Sequence, residues 1–226
     1  MKNLAIIPAR GGSKRIPKKN IRDFLGKPII AYSIEAALQS GLFDEVMVST
    51  DDEEIAAVAK KFGAEVPFLR SPKNSDDYAT LADVVVEVQT AYANLNINFD
   101  RICCILPTAP LLKIEHLKRG LQLLCEKKFH TVRPIVPFAY PIQRAFLRDA
   151  EGHLRWFDEK NASARSQDLV TTFHDAGQFY WIDAKFDLKS SQKGGFVIAE
   201  TESQDIDNEM DWAMAIIKYK LAHNFL

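Results

Sequence analysis

Short apolar runs alternate along the chain with segments whose apolar residues recur every three or four positions, and this alternation leaves few folds open. A run of four to six apolar residues suits a strand buried on both faces. Helical spacing in the next segment carries the chain back across a sheet face to begin another strand. Leu4 to Ile7 and Glu45 to Thr50 read as the first two strands, with Val66 to Leu69 as a shorter third and Arg101 to Leu106 as a buried fourth. Between them, Ile30, Ile34, Ala37 and Leu38 repeat at helical spacing up to Gly41, and Ile55, Val58 and Phe62 repeat up to Gly63. Leu81, Val84, Val88 and Tyr92 predict a third helix, and Ile114, Leu117, Leu121 and Leu124 a fourth. The pattern predicts a doubly wound α/β fold on a mainly parallel sheet. From about Phe138 to Thr172 the rhythm breaks. There, "FLRDAEGHLRWFD" alternates on both sides of Glu151-Gly152, as a β-hairpin does, and the segment reads as a protruding arm. Gln178 to Ile182 and Phe196 to Ala199 return as strands, and Met210, Met214, Ile217 and Leu221 predict the buried stripe of a closing helix. The 226 residues read as one domain, 1–226, carrying the arm at about 138–172.

The loop after the first strand, "ARGGSKRIPKKNIR", carries six cations, Arg10, Lys14, Arg15, Lys18, Lys19 and Arg22, and no acid. In an open parallel sheet, ligands bind beyond the carboxyl ends of the strands, and this loop is the usual phosphate cradle. Gly11 and Gly12 allow backbone N–H groups close to phosphate oxygens. The spacing is neither G-x-x-x-x-G-K-[ST] nor G-x-G-x-x-G, so a P-loop ATPase and a nicotinamide cofactor are both disfavoured. A solvated basic loop, or one docked on RNA phosphates, remains open from the residues alone, although no aromatic between Arg10 and Arg22 offers a base a stacking platform.

The charge anomaly is local: 29 Lys and Arg balance 30 Asp and Glu, which leaves no global attraction to nucleic acid or to an anionic membrane. No stretch approaches the ~18 apolar residues of a membrane span, and the first apolar run is too short for a signal-peptide core. Cys103, Cys104 and Cys125 match neither a zinc spacing nor a disulfide framework and read as small buried hydrophobes. The expectation is a cytoplasmic protein without membrane or nucleic-acid partners.

Near the end, "SQDIDNEMDW" places Asp205 and Asp207 two residues apart. In an extended segment both carboxylates face one side, where they can share a hard divalent cation such as Mg²⁺ with phosphate oxygens. Asp207 can equally be the N-cap of the closing helix, with Glu209 and Asp211 favouring its positive end. The basic loop and the D-x-D pair together suggest nucleotidyl transfer.

"IIPARGGSKRIPKKN", "VSTDDEEIA", "RSPKNSDD", "LPTAPL", "AGQFYW" and "DIDNEMD" occur in an order and spacing similar to the CMP-sialic acid synthetases, and the likeness spans essentially the whole chain. The resemblance implies a Rossmann-like nucleotidyltransferase fold and a cytidylyltransferase that joins CTP to a nine-carbon nonulosonic acid, releasing pyrophosphate. It implies that Ala9, Arg10, Gly11, Gly12, Ser13 and Lys14 hold the triphosphate. Lys19 and Asn20 fall near the α-phosphate, Arg70, Asn74 and Ser75 at the cytidine, and Asp205 and Asp207 at Mg²⁺, with Arg10, Lys14, Lys19 and both aspartates as the catalytic set. Leu106, Thr108, Gln143, Arg144, Arg165, His174 and Gln178 fall on the sugar side. Arg165 is the candidate for gripping the sugar carboxylate, and His174 for touching the sugar or assisting loss of its hydroxyl proton. The arm corresponds to a dimerisation segment, so a homodimer is expected.

Sialic acid members read Q-P-T-S-P-L-R where this chain has Leu106 to Leu112, and Asn-Gly where it has Ala176-Gly177. These departures gather on the sugar side, and a site that loses hydrogen-bonding groups suits an acceptor that has lost hydroxyls. Within the family the sequence is most similar to the pseudaminic acid branch, which serves flagellin or surface glycan synthesis, and the departures fit that direction. Legionaminic acid carries the same kinds of substituent and stays open, as do N-acetylneuraminic acid and a shorter keto-sugar acid. A non-catalytic nucleotide- or RNA-binding module is the reading from a different class, and it needs neither Asp205 nor Asp207.

Overall fold

β1 (Asn3–Pro8) is buried at every position and forms the spine of the sheet. Its side chains alternate: Ala5 and Ile7 enter one core with α1 (Ile29–Ser40), α2 (Glu53–Lys61) and α4 (Ile114–Lys127). Leu4 and Ile6 enter a second core with Val85, Val88 and Tyr92 of α3 (Leu81–Asn94). A strand wet on neither side needs such an unbroken apolar run. In this computed structural model, which describes residues 1–225, Leu226 of the expected domain lies outside the described residues.

The main sheet runs β11-β6-β10-β5-β1-β4, with β9 pairing β6. β4 (Glu45–Ser49) and β5 (Arg101–Ile105) flank β1 in parallel. β10 (Phe179–Asp183) runs antiparallel to both β5 and β6 (Thr131–Pro137), and β9 (Phe173–Asp175) is antiparallel to β6. β11 (Lys193–Val197) returns parallel to β6. The predicted mainly parallel α/β sheet is therefore mixed toward one edge. β9 and β10 follow the arm rather than a crossover helix, so no helical connection forces them parallel. Between β1 and α1 a small ribbon forms from β2 (Asp23–Phe24) and β3 (Lys27–Pro28). Within the arm, β7 (Phe146–Arg148) and β8 (Leu154–Trp156) pair as an antiparallel hairpin with Phe146 opposite Trp156.

Several sequence expectations are corrected here. Val66 to Leu69 forms no strand. Glu65 alone bridges to Met47, its N–H donating to the Val46 carbonyl at 2.8 Å, and Pro67 has no N–H with which to continue. β6 is missing from the sequence reading because Pro134 and Pro137 speak against a strand interior. The strand is built around them: the Pro134 carbonyl still accepts from Ala176 N–H at 3.2 Å. Cys103 and Cys104 are buried as expected, and burial pushes the Cys104 thiol up to about 12, but Cys125 is exposed. His116 and His130 are half-buried.

The largest correction concerns α5 (Glu209–Ala222). Met210, Met214, Ile217 and Leu221, predicted to be its buried stripe, are 74, 41, 51 and 52 % exposed. The face that packs is Trp212 and Ala215 with Ile216 and Tyr219, against Ile16, Phe24, Ile29, Tyr32 and Ile206. The helix carries two apolar stripes, and spacing alone does not say which is covered.

Gly120 sets the distance between α4 and the sheet. A Cβ there would lie 2.8 Å from Cδ1 of Trp181 and 2.9 Å from Cε2 of Phe179, and Trp181 is further tied by its indole N–H to the Leu117 carbonyl at 3.0 Å. Gly120→Ala is expected to cost about 1–3 kcal/mol by overpacking, measured by chemical denaturation; unchanged stability contradicts this close approach.

Candidate active site

The strand order reverses at β1: the chain goes outward to β4, then returns to β5 on the other side. Over the carboxyl ends of these strands lies a cleft of about 520 Å³. Its wall includes Pro8, Arg10, Ser13, Lys14, Arg15, Lys19 and Asn20 from the first loop, Arg70, Leu106 and Thr108 opposite, and Asp205 from the C-terminal segment. This is the crevice that parallel-sheet geometry favours for ligands.

The basic loop is braced from within. Asn20, 6 % exposed, donates through Nδ2 to the Arg10 carbonyl at 3.0 Å. Ile16 is buried beside Phe24 and Trp212. Lys19 Nζ donates to the Ile206 carbonyl at 2.6 Å, which ties the loop to the acidic segment. Burial pulls the Lys19 ammonium below its usual pKa, against the opposing pull of Asp207 and Asp205.

Ile206 explains the carboxylates. It is fully buried, so the residues on either side turn the other way. Desolvation and then the neighbouring Asp207 charge hold the Asp205 carboxyl above its usual pKa. Asp207 pairs with Arg15 at 2.7 Å. Asp207 does not cap α5: the Asn208 side chain accepts from Met210 N–H at 2.9 Å and Asp211 N–H at 3.1 Å. Asp211 answers by accepting from the N–H groups of Asp207 and Asn208, at 2.9 and 3.0 Å. The capping box thus leaves the Asp205 and Asp207 side chains out of helix capping. Gly177, at φ +63°, backs Asp205; a Cβ there would meet its Cβ and Cγ at 3.5 Å.

Arg10 and Lys14 converge on Asp77. Arg10 donates to an Asp77 carboxylate oxygen and to the Asp76 carbonyl, both at 2.9 Å, and Lys14 donates to the other carboxylate oxygen. These bonds hold the Asp77 carboxyl below its usual pKa. Asp77 lines the cleft and is absent from the residues expected from sequence, as are Ala79, Thr80, Leu81 and Val84. For Thr80, Leu81 and Val84 the available signal was a capping box: Thr80 accepts from Asp83 N–H at 3.3 Å at the start of α3, and T-x-x-D precedes the apolar run; Asp77 has no such signal.

The remaining expected residues are distributed unevenly. Arg70 lines the cleft, donating through Nε to Ser49 Oγ at 3.0 Å and again to the Ser49 carbonyl, and burial lowers its pKa. Asn74 and Ser75 do not line it. Asn74 Nδ2 donates to Glu87 at 2.6 Å, and Ser75 Oγ to the Ser71 carbonyl at 2.8 Å, so both shape the loop behind Arg70. Ala9 is buried in the main core. Gly11 donates its N–H to Asp51 at 3.0 Å, and a Cβ on it would lie 2.6 Å from an Asp52 carboxylate oxygen. The glycine therefore answers to the acidic end of β4. Gly12 stands in open space.

On the expected sugar side, only Leu106 and Thr108 line the cleft. Gln178 is 2 % exposed, donating to the Glu202 carbonyl at 2.5 Å, while its own carbonyl accepts from Leu106 N–H at 2.8 Å. Leu112 packs against the main core beside a separate depression, and Ala176 is buried in that core. Of the sequence departures expected at the sugar, Leu106 is the one that reaches the cleft. Gln143 donates to the Val170 carbonyl at 2.9 Å within the arm, where Arg144 and Arg165 are exposed. His174 is exposed on β9, its Nδ1 2.9 Å from the Asp175 carbonyl and its ring edge-on to Phe138 at 5.0 Å.

Comparison with known proteins bears on the family and the fold. A family model described as cytidylyltransferase matches residues 4–198. A pseudaminic acid cytidylyltransferase from Campylobacter jejuni subsp. jejuni serotype O:2 is 47% identical, with 99% of this chain and 98% of that protein aligned. A CMP-N,N'-diacetyllegionaminic acid synthase from Legionella pneumophila is 32% identical over 95% of this chain and 94% of that protein. A solved CMP:2-keto-3-deoxy-manno-octonic acid synthetase complexed with CTP shares the fold, at TM-score 0.68 and 18% identity, covering 99% of this chain and 100% of that one.

Asp77 holds Arg10 and Lys14, two cations for which a polyphosphate in the cleft would compete. Asp77→Asn is expected to tighten binding of inorganic triphosphate several-fold at low salt, read by calorimetry; weaker binding contradicts the competition.

Proposed function

The chain belongs to the cytidylyltransferase family, and from that premise we propose that it joins CTP to pseudaminic acid, giving CMP-pseudaminic acid and pyrophosphate. The observation that carries the reading is the opposition, across one cleft, of Arg10, Lys14 and Lys19 to Asp205, within a chain aligned almost end to end with a pseudaminic acid cytidylyltransferase. The cations suit the charge of the triphosphate, and the carboxylates suit a metal.

The reaction is an in-line displacement. The anomeric hydroxyl of the sugar attacks the α-phosphorus, the bond to the bridging oxygen of pyrophosphate breaks, and the hydroxyl proton passes to water. Arg10 and Lys14 exchange Asp77 for phosphate oxygens and steady the leaving pyrophosphate. Lys19, already held at the Ile206 carbonyl, sits nearer the reacting phosphate. Arg70, fixed by Ser49, and the loop shaped by Asn74 and Ser75 receive the cytidine, and Leu106 and Thr108 face the sugar.

Asp205 and Asp207 offer an all-oxygen donor set that fits a hard divalent cation, and the raised Asp205 pKa reports a carboxylate that burial and the Asp207 charge disfavour by more than Lys19 offsets. For both to serve, Asp207 must give up Arg15. Mg²⁺ bound there would supply charge stabilisation to the phosphate oxygens.

The arm carries the dimer. It exposes Phe138, Tyr140, Phe146, Leu154, Phe157 and Val170, all between 40 and 86 %, more apolar surface than a free hairpin tolerates. Paired arms would bring Arg165, Arg144, Gln143 and His174 toward a neighbouring sugar site, where Arg165 matches a carboxylate. No helix among the described residues is long and apolar enough to cross a membrane, and we assign the enzyme to the cytoplasm, in flagellin or surface glycan synthesis.

Pyrophosphate release with CTP and Mg²⁺, assayed in parallel with pseudaminic, legionaminic and N-acetylneuraminic acids and without sugar, tests the reading. Release is expected with pseudaminic acid. Release only with another sugar overturns the acceptor, and no release with any of the three overturns the proposed reaction with nonulosonic acids.

A further inference from the structure

The uncovered stripe of α5 has a symmetry of its own. Met210, Met214, Ile217 and Leu221 stand at i, i+4, i+7 and i+11, so at 100° per residue all four fall within one narrow face of the helix. They are exposed along its whole length, opposite the face that Trp212 and Ala215 bury. The spacing is also palindromic. Met214 and Ile217 are equally far from the helix midpoint, between Ala215 and Ile216, and Met210 and Leu221 are equally far beyond them. A stripe that reads the same from both ends matches a copy of itself laid antiparallel, with Met210 against Leu221 and Met214 against Ile217, each pair occurring twice. That is the condition an isologous two-fold interface imposes.

Charge agrees with this direction. The first turn carries Asp211 and Glu209, the latter shared with Arg22 at 2.6 Å, and the last turn carries Lys220, while Lys218 is held by the Glu200 and Ser203 carbonyls of its own chain. Antiparallel pairing sets the acidic end of one helix beside the basic end of the other and opposes their dipoles, whereas parallel pairing would stack like charges. Ala213, exposed at the stripe's edge, leaves room for a second backbone to approach.

We propose that α5 pairs with α5 of a second copy of this chain, antiparallel about a two-fold axis at Ala215–Ile216. The interface is separate from the arm, whose exposed apolar residues run from Phe138 to Val170, so a chain using both surfaces assembles beyond a dimer.

Two measurements test the pairing. By sedimentation, Met214→Glu/Ile217→Glu is expected to halve the assembly mass of the wild-type protein, with the far-UV circular dichroism of the folded chain retained. In a Cys125→Ser background, mild oxidation of Met214→Cys/Ile217→Cys is expected to give a disulfide-linked dimer. Met210→Cys alone is expected to give none, because antiparallel register holds the two copies of that position ~16 Å apart along the axis. Leu154→Glu in the arm should leave the α5 cross-link intact. An unchanged mass together with no cross-link leaves the stripe to a different partner and overturns the proposal, and a cross-link through Met210→Cys alone overturns the antiparallel register.

Discussion

Ile206 is fully buried among Ile16, Phe24, Ile29, Tyr32, Trp212 and Ala215, and because extended chain alternates its side chains, that burial turns Asp205 and Asp207 outward together. The same cluster holds Ile16 from the basic loop, so one apolar nucleus fixes both charged halves of the site. Around it, Phe24 meets Tyr32, Trp212 and Tyr219 edge-to-face at 5.4, 5.6 and 5.7 Å, pairs worth roughly 0.5–1.5 kcal/mol each beyond their buried area. Lys19 adds the polar tie, donating to the Ile206 carbonyl itself. The loop and the acidic segment are 187 residues apart, yet neither can move far without the other.

The resting electrostatics follow from that enforced proximity. With Arg10 and Lys14 on Asp77, Arg15 on Asp207, and Lys19 between two aspartates, the cleft neutralises most of its own charge. Asp205 is the poorly compensated member, and its raised pKa follows from lost water contact and the nearby Asp207. A cleft arranged this way exchanges internal ion pairs for ligand ones, so binding costs little new desolvation of the protein. The rest of the wall includes Arg70, which is braced on Ser49, together with Thr108 and Leu106.

What could be read in the sequence is what local pattern determines. The apolar runs of β1, β4 and β5 and the spacing of α1 to α4 announce themselves because a buried strand or helix has one solution. The cation-rich loop and D-x-D likewise carry their chemistry in composition. Tertiary choices stayed hidden. α5 has two apolar stripes, and only packing against Ile206 decides between them. β6 tolerates Pro134 because its carbonyl, not its missing N–H, serves the ladder. Asn74, Ser75 and Leu112 have side chains suited to a ligand site, but their partners lie elsewhere in the fold, and Asp77 enters the cleft through a loop whose course no local spacing reveals.

The central claim is that the basic loop and the Asp205–Asp207 segment act as one site for a metal-bound triphosphate. Calorimetric titration of CTP into the wild-type protein and into Asp205→Asn, each with and without Mg²⁺, addresses it most directly. Mg²⁺ is expected to strengthen CTP binding to the wild type, and Asp205→Asn to abolish most of that gain. Equal Mg²⁺ enhancement in both proteins, or CTP binding indifferent to Mg²⁺, would contradict it.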